Sequence, residues 1–128
     1  VFNHGKMIRD FTYVDDIIES LVRLISKPSL PDRHFNATDP DPATSWAPHR
    51  IFNIGNSNPM SLMNYIEALE QSLGLIAEKE FLPMQPGDVQ ATSADTSALE
   101  SWVGFKPNTP IQYGVDCFVA WYRQFYGF

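Results

Sequence analysis

Two stretches of this 128-residue sequence carry side chains whose types and spacing can do chemistry. The first is Arg9-Asp10-Phe11-Thr12-Tyr13-Val14-Asp15-Asp16. A guanidinium ahead of a β-prone triplet and an acidic helix start sets one fixed cation beside a pocket. Its planar fork of donors suits phosphate. Taken alone, Arg9 reads first as a surface ion-pair partner of little energetic weight, and Asp16 as part of the first turn of a helix. The second stretch is Met84-Gln85-Pro86-Gly87-Asp88-Val89. A Pro-Gly turn aims a carboxylate at little entropic cost, and a carboxylate accepts hydrogen bonds from sugar hydroxyls. Taken alone, it is a plain turn. Other chemistries find less support. His4, His34 and His49 lack metal-ligand spacing, and one cysteine cannot build a zinc site. Cys117 adjoins Phe118 on an amphipathic stretch and reads as core, as do Trp46, Trp102 and Trp121.

The elements that must position these residues are mostly helices. Val14, Ile17, Ile18, Leu21, Val22 and Ile25 fall on one helical face, with acids early, bases late and Pro28 as the stop. Phe11-Thr12-Tyr13 reads as a short strand before it. Residues 29–48 carry scattered prolines among Asp, Asn, Ser and Thr, and read as a long surface loop. Arg50–Ile54 reads as a strand. A second helix starts at an N-cap, Ser61, carries Leu62, Tyr65, Ile66, Leu69 and Leu73 on one face, and ends at Gly74. Glu80-Phe81-Leu82 reads as a strand, and a rigid loop follows to Asp88. A short helix runs over about 96–103, with Asp95 as N-cap and Gly104 as terminator. The last helix begins near Ile111 and presents Val115, Phe118, Val119, Tyr122 and Phe125 together; Gly114 weakens its first turn by about 1 kcal/mol. The fold class is α+β, with short strands and about four helices. The strands are too few for an independent doubly wound sheet, so several apolar faces call for a partner surface outside the chain.

Composition narrows the partners. The chain is 44% hydrophobic and 19% charged, as for a globular domain. A net charge of −6 and a pI near 4.8 argue against nucleic acid. No apolar run reaches the roughly 20 residues that span a bilayer, so no membrane partner is expected. A single cysteine fits a reducing compartment, the cytoplasm. The opening Val1-Phe2 reads as a cut through an element.

The ordered set Asn3-His4-Gly5-Lys6-Met7, Arg9 through Asp16, Phe52-Asn53-Ile54-Gly55-Asn56, Leu82 through Val89 and Gly104-Phe105-Lys106-Pro107 resembles the C-terminal third of nucleotide-sugar epimerases in the extended short-chain dehydrogenase/reductase family. The UDP-glucuronate 4-epimerases are the most similar branch. The resemblance covers nearly the whole chain outside the loop around Ser29–Ser45. It implies that residues 1–128 are the substrate-binding C-terminal portion of a Rossmann-type enzyme whose cofactor domain lies elsewhere, in a parent that binds NAD and forms a homodimer. It also implies site roles. Arg9 contacts the diphosphate of the nucleotide sugar, Asp88 lies near the ribose, and a strand at Val1-Phe2-Asn3 passes the uracil through backbone groups. Gln85 stands where relatives acting on UDP-galactose often carry a second arginine, which favours the glucuronate branch. Asn53 and Gly55 match a structural pattern, and Ile8 departs from a position usually polar.

The family's catalytic parts are absent from the sequence. No Gly-rich turn follows a first strand, so the NAD fingerprint is missing. The family pairs a tyrosine with a lysine four residues later. Here the residues four beyond Tyr13, Tyr65, Tyr113 and Tyr122 are Ile17, Leu69, Cys117 and Tyr126. The expectation is a UDP-sugar-binding part, inactive alone, of an NAD-dependent 4-epimerase that oxidises C4, turns the keto-sugar and returns the hydride. A 4,6-dehydratase or another nucleotide-sugar epimerase shares the scaffold, and a non-catalytic binding or assembly module also accommodates the missing residues.

Overall fold

A computed structural model of the chain describes residues 1–127. The chain begins with a single 3₁₀ turn, Phe2–Gly5, and a two-residue strand β1, Ile8–Arg9. Helix α1 spans Val14–Ser26. Strand β2, Met60–Ser61, leads directly into α2, Leu62–Leu73. Helices α3, Ser97–Val103, and α4, Ile111–Tyr126, complete the order. β1 and β2 pair antiparallel, Ile8 opposite Ser61 and Arg9 opposite Met60, and Ile8 makes a parallel bridge to Ala91. Four helices and a minimal sheet are the α+β fragment that the sequence implies.

The helix boundaries follow from local chemistry. Ser61 caps α2 by accepting from Met63 N at 3.1 Å, and Gly74 closes it in the left-handed conformation, φ 70°. Lys27, biased away from helix by Pro28, ends α1. Thr96 occupies the cap position of α3, one residue later than expected. The Asp95 carboxylate still accepts from Ser97 N at 2.9 Å, so the predicted capping group is retained.

The expected strands fare differently. Phe11–Tyr13 is extended but unpaired, with Tyr13 as the N-cap of α1. Arg50–Ile54 contributes only an isolated bridge, Arg50 to Thr44. Glu80–Leu82 forms no strand, and Val1–Asn3 is not a strand either. Left-handed φ values of 48° at Asn3 and His4 bend the N-terminal segment away after three bonds, Val1 N to Glu80 O, Leu82 N to Val1 O and His4 N to Leu82 O. A strand needs a neighbour to exchange a ladder with, and these segments have none beyond those contacts. Residues 27–59 hold no helix or strand. Asx turns at Asp32, Asn36 and Asp41 shape the stretch.

The core lies between α2 and α4, where Ala68, Val115 and Val119 are buried against Tyr65, Leu69, Leu73 and Ile111. Arg123 donates to the Leu73 carbonyl at 2.6 Å, satisfying an open carbonyl at the end of α2. A second anchor is Leu99 of α3, 0% exposed. The amphipathic helices do not all turn their apolar faces inward. α1 buries Asp16 and Ser20, while Val14, Ile18, Leu21, Val22 and Ile25 stay exposed, Ile25 to 80%. On α4, Phe118, Tyr122 and Phe125 are likewise exposed. Periodicity locates an apolar face, and among the described residues the stripe on α1 stays largely exposed.

Gly55 shows how closely the loops are fitted. A Cβ there would sit 2.5 Å from the Ala94 Cβ and 3.1 Å from an Asp10 carboxylate oxygen. Gly55→Ala is expected to destabilise by roughly 1–3 kcal/mol through overpacking, read as a lower urea midpoint at constant slope. An unchanged midpoint would show that the two loops separate freely.

Candidate nucleotide-sugar site

Arg9 leaves β1 pointing its guanidinium at the segment that follows the Pro-Gly turn. Its Nη1 donates to the carbonyls of Ile8, at 2.9 Å, and Gln90, at 3.2 Å. Its Nη2 donates to Asp88 Oδ1 at 3.0 Å. The side chains are 24% and 32% exposed, so the pair is partly desolvated and reachable from solvent. Backbone bonds fix the geometry: Ile8 N to Gln90 O at 2.9 Å and Thr92 N to Ile8 O at 3.1 Å lock residues 90–92 beside β1.

The turn holding Asp88 forms as its residues require. Pro86 and Gly87 are its central pair, Gly87 has φ 83°, and Asp88 N donates to Gln85 O at 3.2 Å. Oδ1 of Asp88 also accepts from Val89 N at 2.7 Å. Gln85 is exposed at the turn's entry. Phe2 and Asn3 meet the other end of the same segment, through the bonds of their neighbours Val1 and His4 to Leu82. Asn3 Nδ2 donates to Lys6 O at 3.3 Å, and Phe2 is partly exposed. The five residues singled out from sequence thus gather along residues 82–90, with Arg9 and Asp88 in direct contact.

Asp10 and Asp16 have uses that sequence reasoning missed. Oδ2 of Asp10 accepts from Ser57 N at 3.0 Å and Ala94 N at 3.1 Å, and Oδ1 accepts from Asn58 N at 3.3 Å. Asp10 therefore ties the end of β1 to two loops. Oδ2 of Asp16, a buried residue, accepts from Thr109 N at 3.0 Å and ties α1 to the connector before α4. The only signal in the sequence was an acid in a motif with no evident partner.

A cavity of about 530 Å³ lies between the Phe11–Val14 segment and α4, lined by Phe11, Tyr13, Tyr65, Gly114, Cys117 and Trp121. None of the five candidate residues lines it. Gly114 is explained here: a Cβ would lie 3.0 Å from the Tyr13 ring. The Tyr13 hydroxyl, held chiefly by the Cys117 thiol, then by partial desolvation and Asp15, is pushed up to about 12. The Tyr113 hydroxyl is raised too, first by Cys117. A proton acceptor near neutral pH needs the opposite shift. With no glycine-rich turn and no tyrosine–lysine pair, the residues present do not fit an NAD site. Among the described residues, no group of three His, Cys, Asp or Glu side chains is placed to hold a metal ion, and no helix is long and apolar enough to cross a membrane.

The geometry has counterparts in known proteins. No family model matches the chain. Protein CapI of Staphylococcus aureus is 49% identical over 126 residues, which cover 98% of this chain and 38% of that protein. A probable UDP-glucuronate 4-epimerase of Rhizobium meliloti is 42% identical over 130 residues, 98% of this chain and 37% of that protein. Among solved structures, UDP-glucuronic acid 4-epimerase from Bacillus cereus in complex with UDP-glucuronic acid and NAD superposes with a TM-score of 0.74 at 26% identity. The match covers 98% of this chain and 35% of that one. In these matches the chain is similar to the C-terminal part of NAD-dependent nucleotide-sugar epimerases. The relatives it matches include the probable UDP-glucuronate 4-epimerase of Rhizobium meliloti and UDP-glucuronate 4-epimerase 1 of Arabidopsis thaliana, the latter 34% identical. It spans little more than a third of the length of the curated relatives it matches, 38% for the first of them.

Proposed function

We propose that this chain supplies the substrate wall of an NAD-dependent UDP-sugar 4-epimerase interconverting UDP-glucuronate and UDP-galacturonate. The observation that carries the reading is the partly exposed Arg9–Asp88 pair beside the Pro86-Gly87 turn, in a chain 42% identical over 130 residues to a probable UDP-glucuronate 4-epimerase. Arg9 neutralises diphosphate through charge-assisted hydrogen bonds. Asp88 accepts from ribose hydroxyls, and Gln85 adds one neutral hydrogen bond where a second cation is not needed. Phe2 and Asn3 border the uracil; the bend at Asn3 and His4 leaves backbone groups, not a strand edge, to do so.

NAD and the proton-moving groups belong to residues outside these 128, and the chain alone is catalytically incompetent. The exposed apolar stripe of α1 and the aromatic side of α4 suit contact with a cofactor-binding domain. The longer protein is then a cytoplasmic homodimer. The test is to assay the full-length protein against UDP-, dTDP- and GDP-sugars. UDP-glucuronate is expected to equilibrate with UDP-galacturonate and the 128-residue chain alone to give no turnover. Conversion of a dTDP- or GDP-sugar alone, or release of a 4-keto-6-deoxy product, points instead to a dehydratase or another epimerase and overturns the reading.

A further inference from the structure

The Arg9 guanidinium already grips an anion of the chain's own, and the way it does so constrains how a diphosphate can bind. The argument rests on the diphosphate reading of Arg9 given above. An arginine has five donor hydrogens, one on Nε and two on each Nη. Both hydrogens of Nη1 are committed to backbone, to Ile8 O at 2.9 Å and Gln90 O at 3.2 Å. These carbonyls sit in the ladder that holds residues 90–92 to β1, so the Nη1 bonds are fixed by the fold. A fork-like grip on phosphate takes two neighbouring nitrogens. With Nη1 spent, that grip must run through Nη2, the nitrogen that holds Asp88 Oδ1 at 3.0 Å.

Nη2 keeps one further hydrogen, so Nε and Nη2 can still fork a phosphate, but the phosphate oxygen then meets the same nitrogen as the Asp88 carboxylate oxygen, with like charge. They do not share it well. Asp88 is the partner able to move: it sits on a two-residue turn of Pro86 and left-handed Gly87, while Arg9 is pinned by two carbonyls. Its bond Asp88 N to Gln85 O does not use the carboxylate, and the bond that does, from Val89 N at 2.7 Å, comes from the next residue and moves with the same segment.

We infer that Asp88 is a stand-in anion, exchanged at Arg9 Nη2 for the diphosphate, so that loading the site is an exchange of one anion for another. The released carboxylate is then free for the ribose. The exchange keeps Arg9 oriented and its charge compensated before the substrate arrives, and it couples the 86–88 turn to occupancy.

The test separates the two halves of the ligand. Inorganic pyrophosphate and UDP are titrated calorimetrically, at one ionic strength, into the full-length wild-type protein and its Asp88→Asn and Asp88→Ala variants. Removing the competing charge is expected to tighten pyrophosphate binding roughly three- to tenfold in both variants. UDP gains less than pyrophosphate, or loses, because its ribose partner has gone. Pyrophosphate binding that weakens or stays unchanged in both variants overturns the exchange, since Asp88 then only steadies Arg9 or ignores the anion. The underlying reading fails differently: wild-type protein that binds neither probe, or Arg9→Ala protein that binds both as wild type does, removes the diphosphate role of Arg9 itself. Two variants guard against one failing to fold, and the neutral asparagine keeps the Val89 N contact geometrically available.

Discussion

Asp10→Ala is expected to cost about 3–5 kcal/mol of stability, from the loss of three hydrogen bonds to a charged acceptor. The carboxylate accepts from the backbone N–H groups of Ser57, Asn58 and Ala94, which come from two loops far apart in sequence. No second acceptor takes over, because Gly55 brings the loop backbone hard against the Asp10 oxygen and Ala94 and leaves no room to shift. A domain of ordinary stability, about 5–15 kcal/mol, loses a large share of it. Asp10→Asn keeps one amide oxygen and should lose less, since its acceptor is neutral and its NH₂ group meets donors. Urea unfolding of both variants measures this. A loss below about 1 kcal/mol for Asp10→Ala would mean that water replaces the carboxylate, and that Asp10 does not organise the loops.

Arg9→Ala is expected to behave in the opposite way, sparing the fold and damaging binding. Its bonds to Asp88 and to the Ile8 and Gln90 carbonyls are all reachable by water, which replaces them, so the stability change should stay within about 1 kcal/mol. Hydrogen bonds to charged groups contribute about 1.5–3 kcal/mol, so affinity for a UDP-sugar should fall roughly 10- to 100-fold. Diphosphate is bound alike in ground and transition states, so the loss belongs in KM with kcat little changed. Arg9→Lys restores part of it, because an ammonium supplies the charge without the fork. In steady-state assays of the full-length protein, an equal fall in kcat and kcat/KM would place Arg9 at the reacting sugar and not at the diphosphate.

The contrast between these residues shows what the sequence disclosed. Three of the helices were legible from their periods and α3 from Asp95 and Gly104 at its ends, while Ser61 and Gly74 mark α2 by chemistry that acts within a few residues. The strands were not. β1 and β2 have two residues each and exist only because Ile8 and Arg9 meet Ser61 and Met60 across some 50 positions. Arg50–Ile54 and Glu80–Leu82 have strand composition but find no ladder. Asn3 and His4 take left-handed φ; both types are enriched there among non-glycine residues, but that preference is too weak to announce a bend. The stripe on α1 was read correctly as apolar, yet within this chain the helix turns its Asp16 and Ser20 edge inward. Gly114, which looked like a weakness in α4, makes room for the Tyr13 ring.

The site was half legible. Arg9, Gln85 and Asp88 stood out through their motifs, but the contact between Arg9 and Asp88 spans 79 positions and could not be read from either stretch. Asp10 lies beside Arg9 in the same motif, and one side chain fastens the scaffold while its neighbour faces the proposed ligand.

The most direct measurement is a calorimetric titration of UDP into full-length wild-type and Arg9→Ala protein, at one ionic strength and with unfolding midpoints recorded alongside. Wild-type protein should bind UDP, and Arg9→Ala should bind it roughly 10- to 100-fold more weakly with its midpoint essentially unmoved. Equal affinities in two equally stable proteins would contradict the placement of the diphosphate at Arg9, and with it the reading of these 128 residues as the nucleotide-sugar wall of an epimerase.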